Sequence, residues 1–420
     1  MHTRVLFLGS TGTDKMTAVK KCVRHLAQYG HKSDVRPVDF EREYLFSRSG
    51  STIQSFLAKP ALEQAEIWKH GWDNFVKTLS NGIVLLALHG TIVRDDFGVR
   101  IAMDTGAVVR DFRPSLVVTL IDDVYTCWWR TEQRASGELS RGRPTFEQLL
   151  MARRVEAILG DEVIRQLRAA DQDARHVMLS IQHPVTALTH LVLSENAKVV
   201  YLSFPITAPV ELSESKVAKM RDQGQRVRSA INEFHTLALD FQQRYTELVV
   251  VSPLTIEEIP FADAALKNAK KNEFQFDVRK HRWPISDLWG SAEILSGSCP
   301  SSIPIRPASS AALVEGLLRT DVGWRDYRLV EQSYAVACFS PVVPRVDGDW
   351  RLSRGVEAEL KKAVRANVPV YVFQEPRFDP KKAWLKRLPS PGAMGHDPDR
   401  FSMENKSSTE ELFESILRRS

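Results

Sequence analysis

Residues 334–373, YAVACFSPVVPRVDGDWRLSRGVEAELKKAVRANVPVYVF, decide the fold. Two short apolar runs, YAVACF and VPVYVF, read as strands. A Pro-rich loop separates the first run from SRGVEAELKKAVRAN, where Ala, Glu, Leu and Lys recur at helical spacing from about Ser353. Strand, helix and strand in succession predict a parallel pair in an α/β sheet. Ligands of such sheets bind beyond the carboxyl ends of strands, where the next helix begins. Ser353, Gly355 and Glu359 fall at that place, and Asp326 lies just upstream.

The same alternation extends in both directions. RVLFLG (4–9), GIVLLALHG (82–90), SLVVTLIDDVY (115–125) and HVMLSIQHP (176–184) read as strands, with SDVRPVDFE an extended segment between them. Helical runs are expected to about Gln28 and at about 52–59, 61–80 and 144–170, with a short one in PVTALTHLVLS. A second series opens with KVVYLSFPIT (198–207), a long charged helix at about 213–245 and ELVVVSPLTI (247–256). The nearly all-apolar strands predict two doubly wound, Rossmann-like parallel-sheet domains, residues 1–194 and 195–420. Residues 262–310 break the rhythm and read as an insertion in the second, either ordered or a lid. Its Trp283 and Trp289 fit local packing or a base-stacking surface. The tail from Pro376 to His396 reads as loop, and STEELFESILRR as a final amphipathic helix.

The 420 residues are 43% hydrophobic and 26% charged, a globular composition. No apolar run reaches membrane-spanning length. MHTRVLFLGSTG lacks the layout of a signal peptide, and four scattered cysteines form no CxxC pair, so a cytoplasmic chain without a zinc site or disulfide framework is expected. The 57 basic residues against 52 acidic ones leave a net charge of +5, which suits a small anionic ligand and argues against a nucleic-acid partner.

Gly9-Ser10-Thr11-Gly12-Thr13-Asp14-Lys15-Met16 follows the first strand and opens a helix, the setting of a phosphate-binding loop. Gly9 and Lys15 are at the expected spacing. Asp14 replaces a Gly, and Met16 replaces the hydroxyl residue that would hold Mg²⁺. Asp122 and Asp123 end an apolar strand as a magnesium ligand would, and Arg130, Arg134, Arg141 and Arg143 are candidate phosphate clamps. In layout this half resembles the P-loop nucleotide kinases. The resemblance implies a nucleotide site at Gly9, Gly12, Thr13, Lys15, Asp122 and Asp123, with Mg²⁺ and ATP as the cofactors to test. A capped strand-to-helix turn is the alternative.

The second half resembles the nucleoside 2-deoxyribosyltransferase family, including its deoxynucleoside monophosphate N-glycosidase branch. YLSFPIT matches the family's opening strand and sugar-binding loop, through Tyr201, Ile206 and Thr207. Asp326 lies in a helix leading into a strand, Gly355, Glu359 and Ala363 match a Gly-x-x-x-Glu-x-x-x-Ala signature, and VPVYVF closes the unit. Cleaving a C1′–N bond builds positive charge at C1′, which a carboxylate stabilises or captures. The resemblance makes Glu359 the nucleophile and Asp326 the group that orients or protonates the leaving base, a task suited to a raised pKa. Ser353 stands where transferases acting on free nucleosides carry an Asp. A hydroxyl at a helix N-terminus, with Gly355 beside it, favours a 5′-phosphate.

The expected activity is therefore N-glycosidic cleavage of a (deoxy)nucleoside monophosphate or related nucleotide, with no cofactor for that step. NAD is an alternative substrate. By resemblance, a homo-oligomer is implied. A nucleotide-sensing protein and a nucleotide kinase remain as competing readings. Ser353 also suits a simple N-cap, and Glu359, beside Lys361 and Lys362, a solvated helix face.

Overall fold

The computed structural model describes residues 3–419 apart from 32–34, 47–54, 57, 80–81, 95–97, 136–143, 207–208, 210–211, 214, 272, 282, 298–299, 306–310, 341, 345–349 and 376–402. It is an α/β protein of two compact units, each built on a five-stranded parallel sheet flanked by helices. The first unit comprises Met1–Glu195, Thr255–Arg282 and Glu293–Asp321. The second comprises Asn196–Leu254, Trp283–Ala292 and Val322–Ser420.

In the first unit the strands are β1 (Arg4–Leu8), β2 (Val35–Asp39), β3 (Ile83–Ala87), β4 (Leu116–Ile121) and β5 (Arg175–Ser180). Their order is β2-β3-β1-β4-β5, all parallel. Every residue of β3 and β4 is buried, as a strand covered on both faces requires. The helices are α1 (Lys15–Leu26), α2 (Ala61–Val76), α3 (Val124–Ala135), α4 (Phe146–Ala169) and α5 (Val185–Leu193). Thr145 starts α4 with a capping box shared with Gln148.

The second unit's strands are β6 (Lys198–Ser203), β7 (Leu248–Val251), β8 (Ala335–Phe339), β9 (Val370–Phe373) and β10 (Met403–Lys406), ordered β10-β9-β8-β6-β7 and all parallel. Its principal helices are α6 (Ala218–Arg244), α9 (Arg354–Arg365) and α10 (Thr409–Arg418). Between α6 and α9 in the chain lie α7 (Ile259–Lys267) and α8 (Ala311–Glu331). Phe234, Phe241, Phe339 and Phe413 stack through its core.

The expectation of a second domain running unbroken from 195, with 262–310 inserted in it, is not met. Thr255–Arg282 and Glu293–Asp321 belong to the first unit. The reason is aromatic packing: Phe261 and Phe276 lie against Tyr125 at 5.4 and 5.2 Å, and Phe261 lies 5.1 Å from Phe146. Its described residues include α7, an antiparallel pair (Phe274–Asp277 with Ser302–Ile305) and a short helix at Ile285–Trp289. Trp283 and Trp289 are buried in the second unit rather than forming an exposed stacking surface. Trp283 Nε1 donates to Asn232 Oδ1 at 2.9 Å, and Trp289 lies 5.7 Å from the His235 ring.

Each sheet has one place where the strand order reverses. The chain leaves β1 towards β2 on one side and β4 towards β5 on the other. It leaves β6 towards β7 and β8 towards β9 in the same diverging way. Beyond the carboxyl ends of such strand pairs lies the crevice where α/β sheets take ligands. Gly9 and Asp122 follow one pair, and the β6–β8 pair organises the other site.

Candidate active site

Tyr201 and Ser203 stand two residues apart on β6 and so face the same side of the sheet. Both are fully buried. On α9 the apolar positions Val356, Leu360 and Ala363 turn inward, and Glu359 turns in with them at 7% exposure. Tyr201 Oη donates to Glu359 Oε1 at 2.8 Å, and Ser203 Oγ donates to Oε2 at 2.5 Å. The neighbouring lysines are elsewhere engaged: Lys361 pairs with Glu357, and Lys362 with Glu331. Glu359 is thus not a charge on a solvated face.

Asp326 on α8 shares this electrostatic neighbourhood. The buried Arg325 directs its Nε and Nη2 to Asp326 Oδ1 at 2.9 and 2.8 Å. Burial pushes the Glu359 carboxyl up to about 8, the negative charge of Asp326 adds to the rise, and the Ser203, Tyr201 and Arg325 groups oppose it. Burial and the same two carboxyls hold the Tyr201 phenol well above its ordinary value. The carboxyl pushed up by its surroundings is Glu359, and Asp326 is the arginine-paired neighbour. These surroundings favour the neutral form of Glu359 over the ionised one in the ligand-free site.

Ser353 occupies the N-cap position of α9 (φ −61°, ψ 129°), but its side chain makes no capping bond. Gly355 is exposed, and a Cβ there would meet only Ser353 Oγ, at 4.0 Å. The first turn of α9 is therefore open to a ligand, with three assets: a hydroxyl, an unobstructed backbone and the positive end of the helix dipole. Ile206 is half-buried just past β6. Thr207 lies outside the described residues. Ser203 and Arg325 were not singled out from the sequence. The two-residue period from Tyr201 carries the signal for Ser203, and adjacency to Asp326 carries none for Arg325.

The first unit's loop is arranged differently. Gly9 (φ +155°), Gly12 (φ +88°) and Asp14 (φ +57°) take left-handed conformations. A Cβ on Gly12 would sit 2.3 Å from the Cys127 carbonyl oxygen, so the start of α3 closes against the loop. Lys15 Nζ donates to the Gly9 carbonyl at 2.6 Å, and Thr13 Oγ1 lies 3.2 Å from Ser10 Oγ. Both oxygens of Asp122 are taken, by Arg130 Nη1 at 2.7 Å and Gln182 Nε2 at 3.0 Å. Asp123 Oδ1 accepts the Glu257 amide at 2.8 Å.

Magnesium and ATP do not fit this arrangement. Both oxygens of Asp122 are engaged by Arg130 and Gln182, Met16 supplies no hydroxyl, and Asp14 adds negative charge beside the loop. Gly9, Gly12, Thr13, Lys15, Asp122 and Asp123 are thus tied to one another and to their neighbours by internal contacts. Arg130 braces the loop through the Gly12 carbonyl. Arg141 and Arg143 lie outside the described residues. Among the described residues no cluster of His, Cys, Asp and Glu suits a metal ion, and no helix is long and apolar enough to cross a membrane.

Comparison with models of known protein families and with curated protein sequences finds no match to this chain.

Proposed function

We propose that the second unit cleaves the N-glycosidic bond of a nucleoside 5′-monophosphate or a related nucleotide. The observation that carries this reading is the carboxyl pair at the β6–β8 crevice: Glu359 is buried with its pKa pushed up, and the half-buried Asp326 is paired with Arg325. Two carboxyls in different electrostatic settings are what acid-assisted departure and cation stabilisation require.

In this reading the proton of Glu359 passes through Asp326 to the departing base as the C1′–N bond breaks. Glu359 is left negative as C1′ becomes electron-poor, and captures it or stabilises it. Water then attacks C1′, and its proton returns to Glu359, closing the cycle. Tyr201 and Ser203 fix the carboxyl's orientation. The open first turn of α9, with Ser353 and Gly355, receives the 5′-phosphate, which favours a nucleotide over a free nucleoside.

Incubation with a panel of ribo- and deoxynucleoside monophosphates and NAD, followed by chromatography for free base, tests the proposal. Release from at least one nucleotide, lost in Glu359→Ala, is the expected result. No release across the panel, or release undiminished in the variant, removes it.

A further inference from the structure

We infer that the crevice between β1 and β3 is a built anion cradle which the chain fills with its own carboxylate, Glu156. The residue is fully buried in the middle of α4. Its Oε2 accepts the backbone N–H groups of Gly9 and Gly90, each at 3.2 Å. Its Oε1 accepts the Thr91 N–H at 2.8 Å and the Thr91 hydroxyl at 2.7 Å. Four donors from two loops at the carboxyl ends of adjacent strands converge on one negative group, which is the donor set an oxyanion takes.

The backbone is shaped for that group. A Cβ on Gly90 would stand 2.8 Å from Glu156 Oε2, and one on Gly9 would meet the Leu120 carbonyl at 2.7 Å. Gly90 allows the close approach of backbone to carboxylate that phosphate loops allow to phosphate, and Gly9 lets the loop lie against β4 with its N–H turned to Glu156. The Gly9 amide, at the head of the loop that resembles a P-loop, is turned to an internal anion. This goes beyond the glycosidic chemistry of the second unit and stands apart from it. It assigns the first unit a self-filled oxyanion site, and it gives a physical reason why Mg²⁺ and ATP are not its ligands.

The test is chemical rescue in the full chain. Glu156→Ala leaves three buried N–H donors facing a cavity, and its melting temperature should fall by roughly 5–10 °C. Formate or phosphate at ~100 mM, against chloride of equal ionic strength, should restore at least half of that fall by binding the folded state. Wild type should show no such gain from formate. Glu156→Gln keeps the cavity filled and should melt below wild type without responding to either anion. It keeps the proposal testable if the alanine variant does not fold. Three outcomes overturn the inference: an alanine variant indifferent to both anions, a glutamine variant that gains from them, or a rise in wild-type melting temperature with Mg²⁺ and ATP that Lys15→Ala abolishes.

Discussion

Replacing Glu359 with Gln separates stability from activity in opposite directions. The side chain keeps its shape, so packing against Val356 and Leu360 is retained. What changes is the capacity to ionise. The wild-type carboxyl is held at about 8 in the folded chain, against an ordinary 4.5. Between those values the folded state keeps a proton that the unfolded state gives up. Stability from the neutral carboxyl is therefore fully present below pH ~4.5 and is lost as pH rises towards 8. The full gap corresponds to roughly 5 kcal/mol, an upper figure because Asp326 titrates in the same neighbourhood.

Glutamine has no such slope. The variant should match wild type within about 1 kcal/mol near pH 4.5 and gain on it steadily to pH 8, reaching several kcal/mol. Base release, in contrast, should fall at least ~10³-fold, the scale of losing one charge partner of a transition state. Urea unfolding at closely spaced pH values and the chromatographic assay read the two effects. Stability curves of variant and wild type that run parallel from pH 4.5 to 8 would refute the assignment of a buried, proton-loaded carboxyl.

Other consequences are independent of that carboxyl. His235 is buried between the Ile231 carbonyl, 2.9 Å from Nδ1, and Ser252 Oγ, 2.8 Å from Nε2, and burial lowers its pKa to about 4. The unfolded state binds the proton first, so stability should fall by roughly 3 kcal/mol as pH drops from 6.5 to 4. His235→Gln should flatten this acid limb in urea unfolding, and an unchanged limb would show another group responsible. Arg153 is buried with Glu258 (2.8 Å) and with Asp321, both also buried. Arg153→Met should cost about 3–5 kcal/mol by leaving the buried Glu258 without its cation and Asp321 with Arg154 alone, measured as a lowered denaturant midpoint of the first unit. Ser353→Asp places a negative charge at the open N-terminus of α9. It should raise KM for a nucleoside monophosphate at least ~10-fold with little change in kcat, and an unaltered KM would place the phosphate elsewhere.

Much of the sheet framework was legible because each strand is a short apolar run and each crossover helix carries a marked amphipathic stripe. The 334–373 unit is observed as β8, α9 and β9, with Ser353 at the helix start as read. In place of a plain loop before α9, Val342–Pro344 and Trp350–Leu352 form an antiparallel pair. β10 escaped because MENK has no apolar pattern. It is strand only through its pairing with β9. The grouping of 255–282 and 293–321 with the first unit also has no local signal, since it depends on Phe261 and Phe276 meeting Tyr125. The tail at 376–396, and residues 52–54 and 57 of the helix expected at 52–59, lie outside the described residues. Of the site, Glu359, Tyr201 and Asp326 were readable as residue types near strand ends. That Glu359 is raised was not, because this depends on its burial and on the negative charge of Asp326 nearby. Glu156 was within reach: an acid among Ala152, Leu159, Gly160 and Val163 on the buried stripe of α4.

The two crevices differ in how they treat a negative group, and the difference separates architecture from chemistry. At the ends of β1, β3 and β4, carboxylates meet strong donors: Glu156 takes three amides and a hydroxyl, and Asp122 a guanidinium and an amide. Such hydrogen bonds stabilise the fold by meeting buried acceptors with donors. At the end of β6, Glu359 receives only two hydroxyls and faces a second negative charge. Its ionised form costs free energy that an apolar or neutral side chain would not. A fold that needed this position only for packing would be better served by Gln or Leu. An acid in a setting that resists its ionisation is intelligible where a reacting centre passes through positive charge beside it, because that centre makes the costly form the stable one.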